Sequence, residues 1–343
     1  MTWQSGHRAD GKTFLVTGAN AGMGYFAAEQ LAASGATVVL GCRDTVKADL
    51  AVQAIRARVE GARLRQVRLD LADLRSLPAT VDALGVDSLD AVVLNAGVML
   101  SGPERRVSAQ GHELMFATNH LGHFALIAHL APMLTAVADS RVITVGSFVA
   151  RTERLDLADL QSEHDYRPKC SYGRSKLAQM LFGFELDRRL RARAASTASI
   201  VVHPGGALDT LTPARPPLFA RTTAQRLRGL PANVVLHGKH AGAHTIVRAV
   251  LDTEITSGQL WGPRVFGLRG RPHQETPYPH MTDLDTAAGL WAASSALTAL
   301  ILSTVQRTHR NAAYRAGRAC PSSRSCGPSV GASQFGPCDL EPW

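Results

Sequence analysis

The feature that most constrains this chain is a glycine-rich turn set between an apolar run and a helical pattern. Thr13–Thr17 reads as a strand and Gly22–Ser34 as a helix, joined through Thr17-Gly18-Ala19-Asn20-Ala21-Gly22-Met23-Gly24. Each glycine has a physical reading at its position. Gly18 permits a tight turn, Gly22 removes the Cβ that would meet an approaching group, and Gly24 lets helix and strand pack closely. The helix N-terminus then offers unpaired N–H groups to an anion. Between a strand and a helix, such a turn predicts a pyrophosphate-binding element.

The rest of the pattern supplies that context. Strands are expected at Thr37–Leu40, Leu64–Leu69, Ala91–Leu94, Arg141–Val145 and Ile200–His203. Helical patterns lie near Val46–Val59, Leu74–Leu84, Glu113–Ala136, Ser171–Arg193 and His240–Leu251. This alternation predicts an α/β fold, a doubly wound parallel sheet of about seven strands with helices on both faces. Gln259–Trp261 reads as a short last strand. Between Gly205 and His240 the rhythm breaks, with Pro213, Pro216, Pro217 and Pro231 among apolar residues. We read 205–240 as an insertion over a substrate pocket, with a surface loop as the alternative. One domain over 1–303 follows. The tail 304–343 is rich in Arg, Ser, Gly, Pro and Cys, too poor in apolar runs to offset its ordering entropy, and is expected to be disordered.

Composition narrows the function classes. The 343 residues carry 37 Lys and Arg against 28 Asp and Glu, a net charge of +9. The arginines are dispersed, as at Arg56, Arg58, Arg63, Arg65 and Arg68 and at Arg188, Arg189, Arg191 and Arg193, and read as solvated helix faces. No aromatic RNA-binding signature or zinc-ligand spacing accompanies them, so neither a nucleic-acid partner nor a metal is expected. Cys42 and Cys170 are far apart in sequence, and Cys320, Cys326 and Cys338 fall in the tail, which argues against a disulfide framework and for a reducing setting. Met1–Lys12 holds no apolar stretch, so the expected location is cytoplasmic. Thr286–Gln306 is uncharged and long enough to span a bilayer. Its many Ser, Thr and Ala residues, with Leu290, Leu297 and Leu300 at helical spacing, favour a helix packed on a core.

The end of the second strand bears on the ligand. Arg43 stands there, where an arginine can pair with a ribose 2′-phosphate, and Asp44 one residue on is the counter-argument for a 2′-hydroxyl. Tyr172 and Lys176 are i and i+4 on one predicted helix and share a face.

Several motifs together resemble the short-chain dehydrogenase/reductase family, in its retinol-dehydrogenase-like and bacterial branch. Thr17–Gly24 resembles the family's TGxxxGxG turn and Asn95-Ala96-Gly97 its NAG element. Thr118-Asn119-His120-Leu121-Gly122-His123-Phe124 is similar to its long helix, and Tyr172-Gly173-Arg174-Ser175-Lys176 to its YxxxK signature. Pro204-Gly205 matches the PG element, and Leu290-Trp291 the LWxxSxxLT segment of bacterial relatives. The resemblance spans about Asp10 to Leu300 and implies a Rossmann-type fold. It departs at Leu94, at Gly146 and in Gly206–Thr210, which is one residue longer than usual.

The resemblance implies Ser147, Tyr172, Lys176 and Asn119 as catalytic residues. It implies cofactor contacts from Gly18, Asn20, Gly22, Met23, Gly24, Arg43, Asp70, Leu71, Asn95, Ala96, Gly97, Tyr172, Lys176, Pro204 and Gly205. Asp70 has a second reading, as a helix N-cap. Lys176 is expected to lower the Tyr172 pKa toward working pH, and Ser147 to stabilise charge on the substrate oxygen. Asn119 would hold the long helix and a water-linked proton path. His120 and His123 read as packing residues, and Cys170 as a small buried filler. The implied activity is NADP(H)-dependent interconversion of a carbonyl and an alcohol, with NAD(H) as the lesser alternative. Leu218, Phe219 and Leu230 in the insertion suggest a lipophilic or polycyclic substrate. An NADP(H)-binding regulatory or scaffold protein is the other reading. The family often pairs through its long helices, which implies a homo-oligomer.

Overall fold

The computed structural model describes residues 7–219, 232 and 234–298. The tail reading 304–343 and Leu230 lie outside these residues, as do Cys320, Cys326 and Cys338. Eight strands form one sheet in the order β10-β9-β6-β5-β4-β1-β2-β3. They are β1 Thr13–Thr17, β2 Thr37–Cys42, β3 Arg63–Arg68, β4 Ala91–Leu94, β5 Arg141–Val145, β6 Ala198–Val202, β9 Leu260–Val265 and β10 Arg269–Glu275. Two short strands, β7 Ala207–Leu208 and β8 His237–Gly238, pair separately. Every pairing in the large sheet is parallel except β9 with β10, which is antiparallel. The sequence pattern missed β10. It is polar and carries Pro272, and both are tolerated because an edge strand needs no partner on its outer side.

The helices cover both faces. They are α1 Gly22–Ala33, α2 Thr45–Arg56, α3 Leu77–Asp82, α4 Leu114–Phe116, α5 Gly122–Thr135, α6 Pro168–Ala192, α7 Lys239–Leu251 and α8 at 284–298. Side-chain alternation along each strand divides the core in two. Phe14 and Val16 of β1 pack with α1, α2 and α7, whereas Leu15 packs with α3, α5, α6 and α8. Arg63, Arg65 and Arg68 project from edge strand β3 rather than from a helix, and charge on such an edge discourages pairing with another chain.

The described part of the uncharged segment, 286–298, packs on the core. Trp291 stacks on Phe182 at 5.8 Å and meets Phe124 edge-on at 5.0 Å, while Ser294 Oγ lies 2.8 Å from His120 Nε2. Among the described residues, no helix is long and apolar enough to cross a membrane.

Leu218 and Phe219 pack against the α1 core, Phe219 stacking on Phe26 and meeting Tyr25. Arg215 donates twice to Glu29 of α1, at 2.6 and 2.8 Å, with both side chains buried, and Tyr25 Oη donates to the same carboxylate. The buried ion pair draws this segment onto α1, so its apolar residues build core rather than a substrate wall.

Candidate active site

In this strand order the chain leaves β1 in one direction and returns to β4 on the other side. The carboxyl ends of β1 and β4 therefore open a crevice, the usual ligand position in such sheets. Thr17 closes its floor. Its Oγ1 accepts from Asn95 N and Ala96 N, each at 2.9 Å, and Asn95 Nδ2 donates to Thr17 O.

A cavity of about 470 Å³ occupies the crevice. Of the expected cofactor residues, Gly18, Asn20, Gly22, Met23, Arg43, Asp70, Leu71, Asn95, Ala96 and Gly97 line it. Gly18 and Gly22 have φ of 68° and 59°, in the left-handed region that glycine tolerates best. A Cβ on Gly22 would meet nothing within 4 Å, so the turn faces open space. Helix α1 starts there without a side-chain cap, leaving backbone donors toward the cavity. These features fit a dinucleotide diphosphate. Gly24 lies beneath, where a Cβ would collide with the Gly18 carbonyl. Pro204 and Gly205 do not line this cavity, and the Pro204 carbonyl faces His237 Nε2 at 2.8 Å.

Asp70 is not a helix N-cap. The next helical turn begins at Leu74 behind Asp73, and Asp70 Oδ1 accepts from Ala72 N at 3.1 Å. Asp44 does cap a helix, accepting from Lys47 N at 3.0 Å, and its other oxygen lies 3.5 Å from Lys47 Nζ. Asp44 and Arg43 both line the cavity; the Asp44 carboxylate engages Lys47, whereas Arg43 is exposed and, among the described residues, pairs with no carboxylate. Gly41, Lys47, Val98, Thr118 and Lys239 also line the cavity and were not anticipated. Lys47 was findable as the next basic residue after Arg43. Lys239 is remote in sequence and carried no local signal.

Ser147, Tyr172 and Lys176 do not line this cavity; Ser147 follows β5, and Tyr172 and Lys176 lie on α6. Lys176 is buried and donates to Val145 O at 3.0 Å. A Cβ on Gly97 would lie 3.3 Å from both Lys176 Nζ and Asn119 Oδ1, which brings these groups to the cavity wall. Asn119 lies in a π turn, Ala117–Leu121, between α4 and α5. It accepts from Val98 N at 2.7 Å and donates to Val98 O and to Ser175 Oγ, tying the loop after β4 to α6. Gly146 has a steric reason, since a Cβ there would lie 2.5 Å from Met180 Cγ on α6.

The electrostatics differ from the expectation for Tyr172. Burial pushes its phenol above the usual range, and the opposing pull comes from a hydrogen bond with Ser147 rather than from the Lys176 charge. Burial lowers Lys176 itself from 10.5 to about 8. The unfolded chain therefore holds this proton between about pH 8 and 10.5 while the folded chain does not, so the lysine's penalty on folding shrinks as pH rises through that window. Lys176→Met is expected to be more stable than wild type at pH 7, with the difference narrowing toward pH 10.5. Urea unfolding of both proteins across that range measures it, and a constant difference would contradict the burial argument.

His120 and His123 are fully buried, each lowered to about 3 by burial, and pack as neutral residues. Cys42 is buried and Cys170 only half-buried, and both are free thiols. Among the described residues, no group of three or more His, Cys, Asp or Glu could hold a metal.

The sheet order and the cavity behind the glycine-rich turn define an α/β protein of the dinucleotide-binding class. A family model described as short chain dehydrogenase matches residues 12–158. Human retinol dehydrogenase 13 is 32% identical over 296 residues, covering 84% of this chain and 85% of that relative. Mouse polyprenol dehydrogenase is 35% identical over 299 residues, 84% of each. The match to mouse retinol dehydrogenase 12, 35% identical over 204 residues, spans 59% of this chain and only 63% of that relative. Among solved structures, an uncharacterized protein from Mycobacterium paratuberculosis is 32% identical with a TM-score of 0.69, covering 87% of this chain and 98% of that one. The chain belongs to the short-chain dehydrogenase/reductase family.

Proposed function

We propose that the protein is an NADP(H)-dependent oxidoreductase that interconverts a carbonyl and an alcohol on a lipophilic small molecule. The observation that carries this reading is the approach of Lys176, one helical turn from Tyr172, to the cavity wall at Gly97. It joins a proton-handling group to a dinucleotide-sized crevice. The nicotinamide, when bound, gives or takes the hydride. Tyr172 Oη gives its proton to the substrate oxygen in reduction and takes it back in oxidation. Ser147 donates a hydrogen bond to that oxygen and favours the phenolate. Lys176 holds its ammonium beside the crevice, and Asn119 holds the Val98 loop and α6 in register.

The engagement of the Asp44 carboxylate with Lys47 and the available Arg43 guanidinium support a 2′-phosphate over a 2′-hydroxyl. Arg43→Ala is expected to weaken NADPH binding roughly 10- to 100-fold by removing a charge-assisted contact, and to leave NADH binding unchanged. Titration of both cofactors by fluorescence measures this, and an equal effect on the two would overturn the assignment.

A lipophilic substrate is supported by the names of retinol dehydrogenase 13 and polyprenol dehydrogenase among the relatives. It is also supported by exposed Met99 and Val149, two residues beyond Gly97 and Ser147 respectively. Leu218 and Phe219 lend no support, being part of the core. Oxidation and reduction of hydrophobic alcohols and carbonyl compounds, followed by cofactor absorbance, tests the reading. Turnover of small sugars alone would refute the substrate class. Tight NADPH binding without any turnover would favour the regulatory role.

A further inference from the structure

Lys239 lines the same cavity as the glycine-rich turn, although more than two hundred residues separate them in sequence. It is the first residue of α7, directly after the short strand β8. Its place is enforced by packing. A Cβ on Gly238 would collide with the Leu211 carbonyl, so only a glycine lets α7 begin this close to the turn Asp209–Leu211. Lys239 N donates to Thr212 Oγ1 at 3.0 Å, and Lys239 Nζ pairs with Asp209 Oδ1 at 2.6 Å. Three residues further along α7, Gly242 sits against Met23 of the turn and the Pro204 carbonyl. The ammonium is thus held over the cavity from the β6 side.

Strand order indicates which part of a dinucleotide it meets. Arg43 and Asp70 follow β2 and β3, on one side of the β1–β4 crevice, while Ser147 and Pro204 follow β5 and β6 on the other. A dinucleotide with its 2′-phosphate at Arg43 and its reactive ring near Tyr172 has its second phosphate, the one nearer the ring, on the Lys239 side.

We propose that Lys239 binds that second phosphate, with Asp209 as the counter-charge that holds the side chain in place beforehand. The assignment rests on the dinucleotide reading above. It ties cofactor binding to both ends of the insertion, because Asp209 follows β7 and Lys239 follows β8.

The experiment compares NADPH with adenosine 2′,5′-bisphosphate, which has the 2′-phosphate but lacks the second diphosphate phosphorus and the ring. Affinities are measured by calorimetry for wild type, Lys239→Met and Lys239→Arg. Lys239→Met is expected to bind NADPH roughly 10- to 100-fold more weakly, the usual effect of losing a charge-assisted hydrogen bond, and the bisphosphate as wild type does. Lys239→Arg is expected to recover most of the loss. Retained bisphosphate binding also shows that the variant is folded. Unchanged NADPH binding in Lys239→Met, or equal weakening of both ligands, would overturn the proposal. If wild type bound NADH in place of NADPH, the Arg43 reading would fall, and Lys239 would stand only if Lys239→Met weakened NADH likewise. Wild type binding neither dinucleotide would overturn both readings.

Discussion

Tyr172→Phe is expected to lower turnover by about 10²- to 10⁴-fold, the usual contribution of a positioned general acid–base group. The substitution removes one oxygen and keeps the ring that α6 positions, so stability should move little. Two further readouts separate a proton-transfer role from a packing role. Burial raises the Tyr172 pKa, so the phenol stays protonated across the neutral range. Carbonyl reduction uses that protonated form and should be flat there. Alcohol oxidation uses the phenolate and should climb as pH rises. Ser147→Ala removes the hydrogen bond that favours the phenolate, so the oxidation limb should move to higher pH. Wild-type rates in Tyr172→Phe, or an oxidation rate that falls with rising pH, would sink the assignment.

The second large effect lies away from the chemistry. Glu29→Ala is expected to destabilise the protein by about 3 kcal/mol, because it leaves a buried guanidinium without its partner. Arg215 loses both of its bonds to Glu29, and Tyr25 Oη loses its acceptor. Arg58 lies 3.8 Å from the same carboxylate but is half in solvent, so it contributes little. The double substitution Glu29→Met with Arg215→Met should recover most of the loss, since two apolar side chains leave no buried charge. Chemical denaturation of the single and double variants measures this. If Glu29→Ala unfolded at the wild-type midpoint, the pair would not be what holds the insertion on α1. Because α1 also carries the glycine-rich turn, weaker NADPH binding should accompany the destabilisation.

The parts of the protein that depend on neighbours in the chain are legible in the sequence itself. The turn Thr17–Gly24 works through backbone conformation and the absence of Cβ atoms, both properties of local residues. The strand and helix alternation follows from side-chain periodicity, and most elements lie within a few residues of the expected bounds. Tyr172 and Lys176 share a face because they are four apart on one helix. The polar strand β10 was invisible, since its stability comes from β9 alongside it rather than from its own pattern.

What escaped the sequence was everything set by groups that meet across the fold. Leu218 and Phe219 look like a substrate wall until Glu29, 186 residues before Arg215, draws their segment onto α1. Lys176 looks like the group that tunes Tyr172. Whether it does depends on burial and on which acceptor its ammonium reaches, and in the folded chain that acceptor is the Val145 carbonyl. Asp44 stands beside Arg43 on paper, and only the start of α2 shows that its Oδ1 accepts from Lys47 N. Lys239 has no motif at all and reaches the cavity because Gly238 admits α7 against Leu211. Backbone conformation and helix or strand periodicity act over a few residues and are written in order along the chain. Burial, charge pairing and cavity lining depend on distances between remote residues, and only the packed structure assigns those.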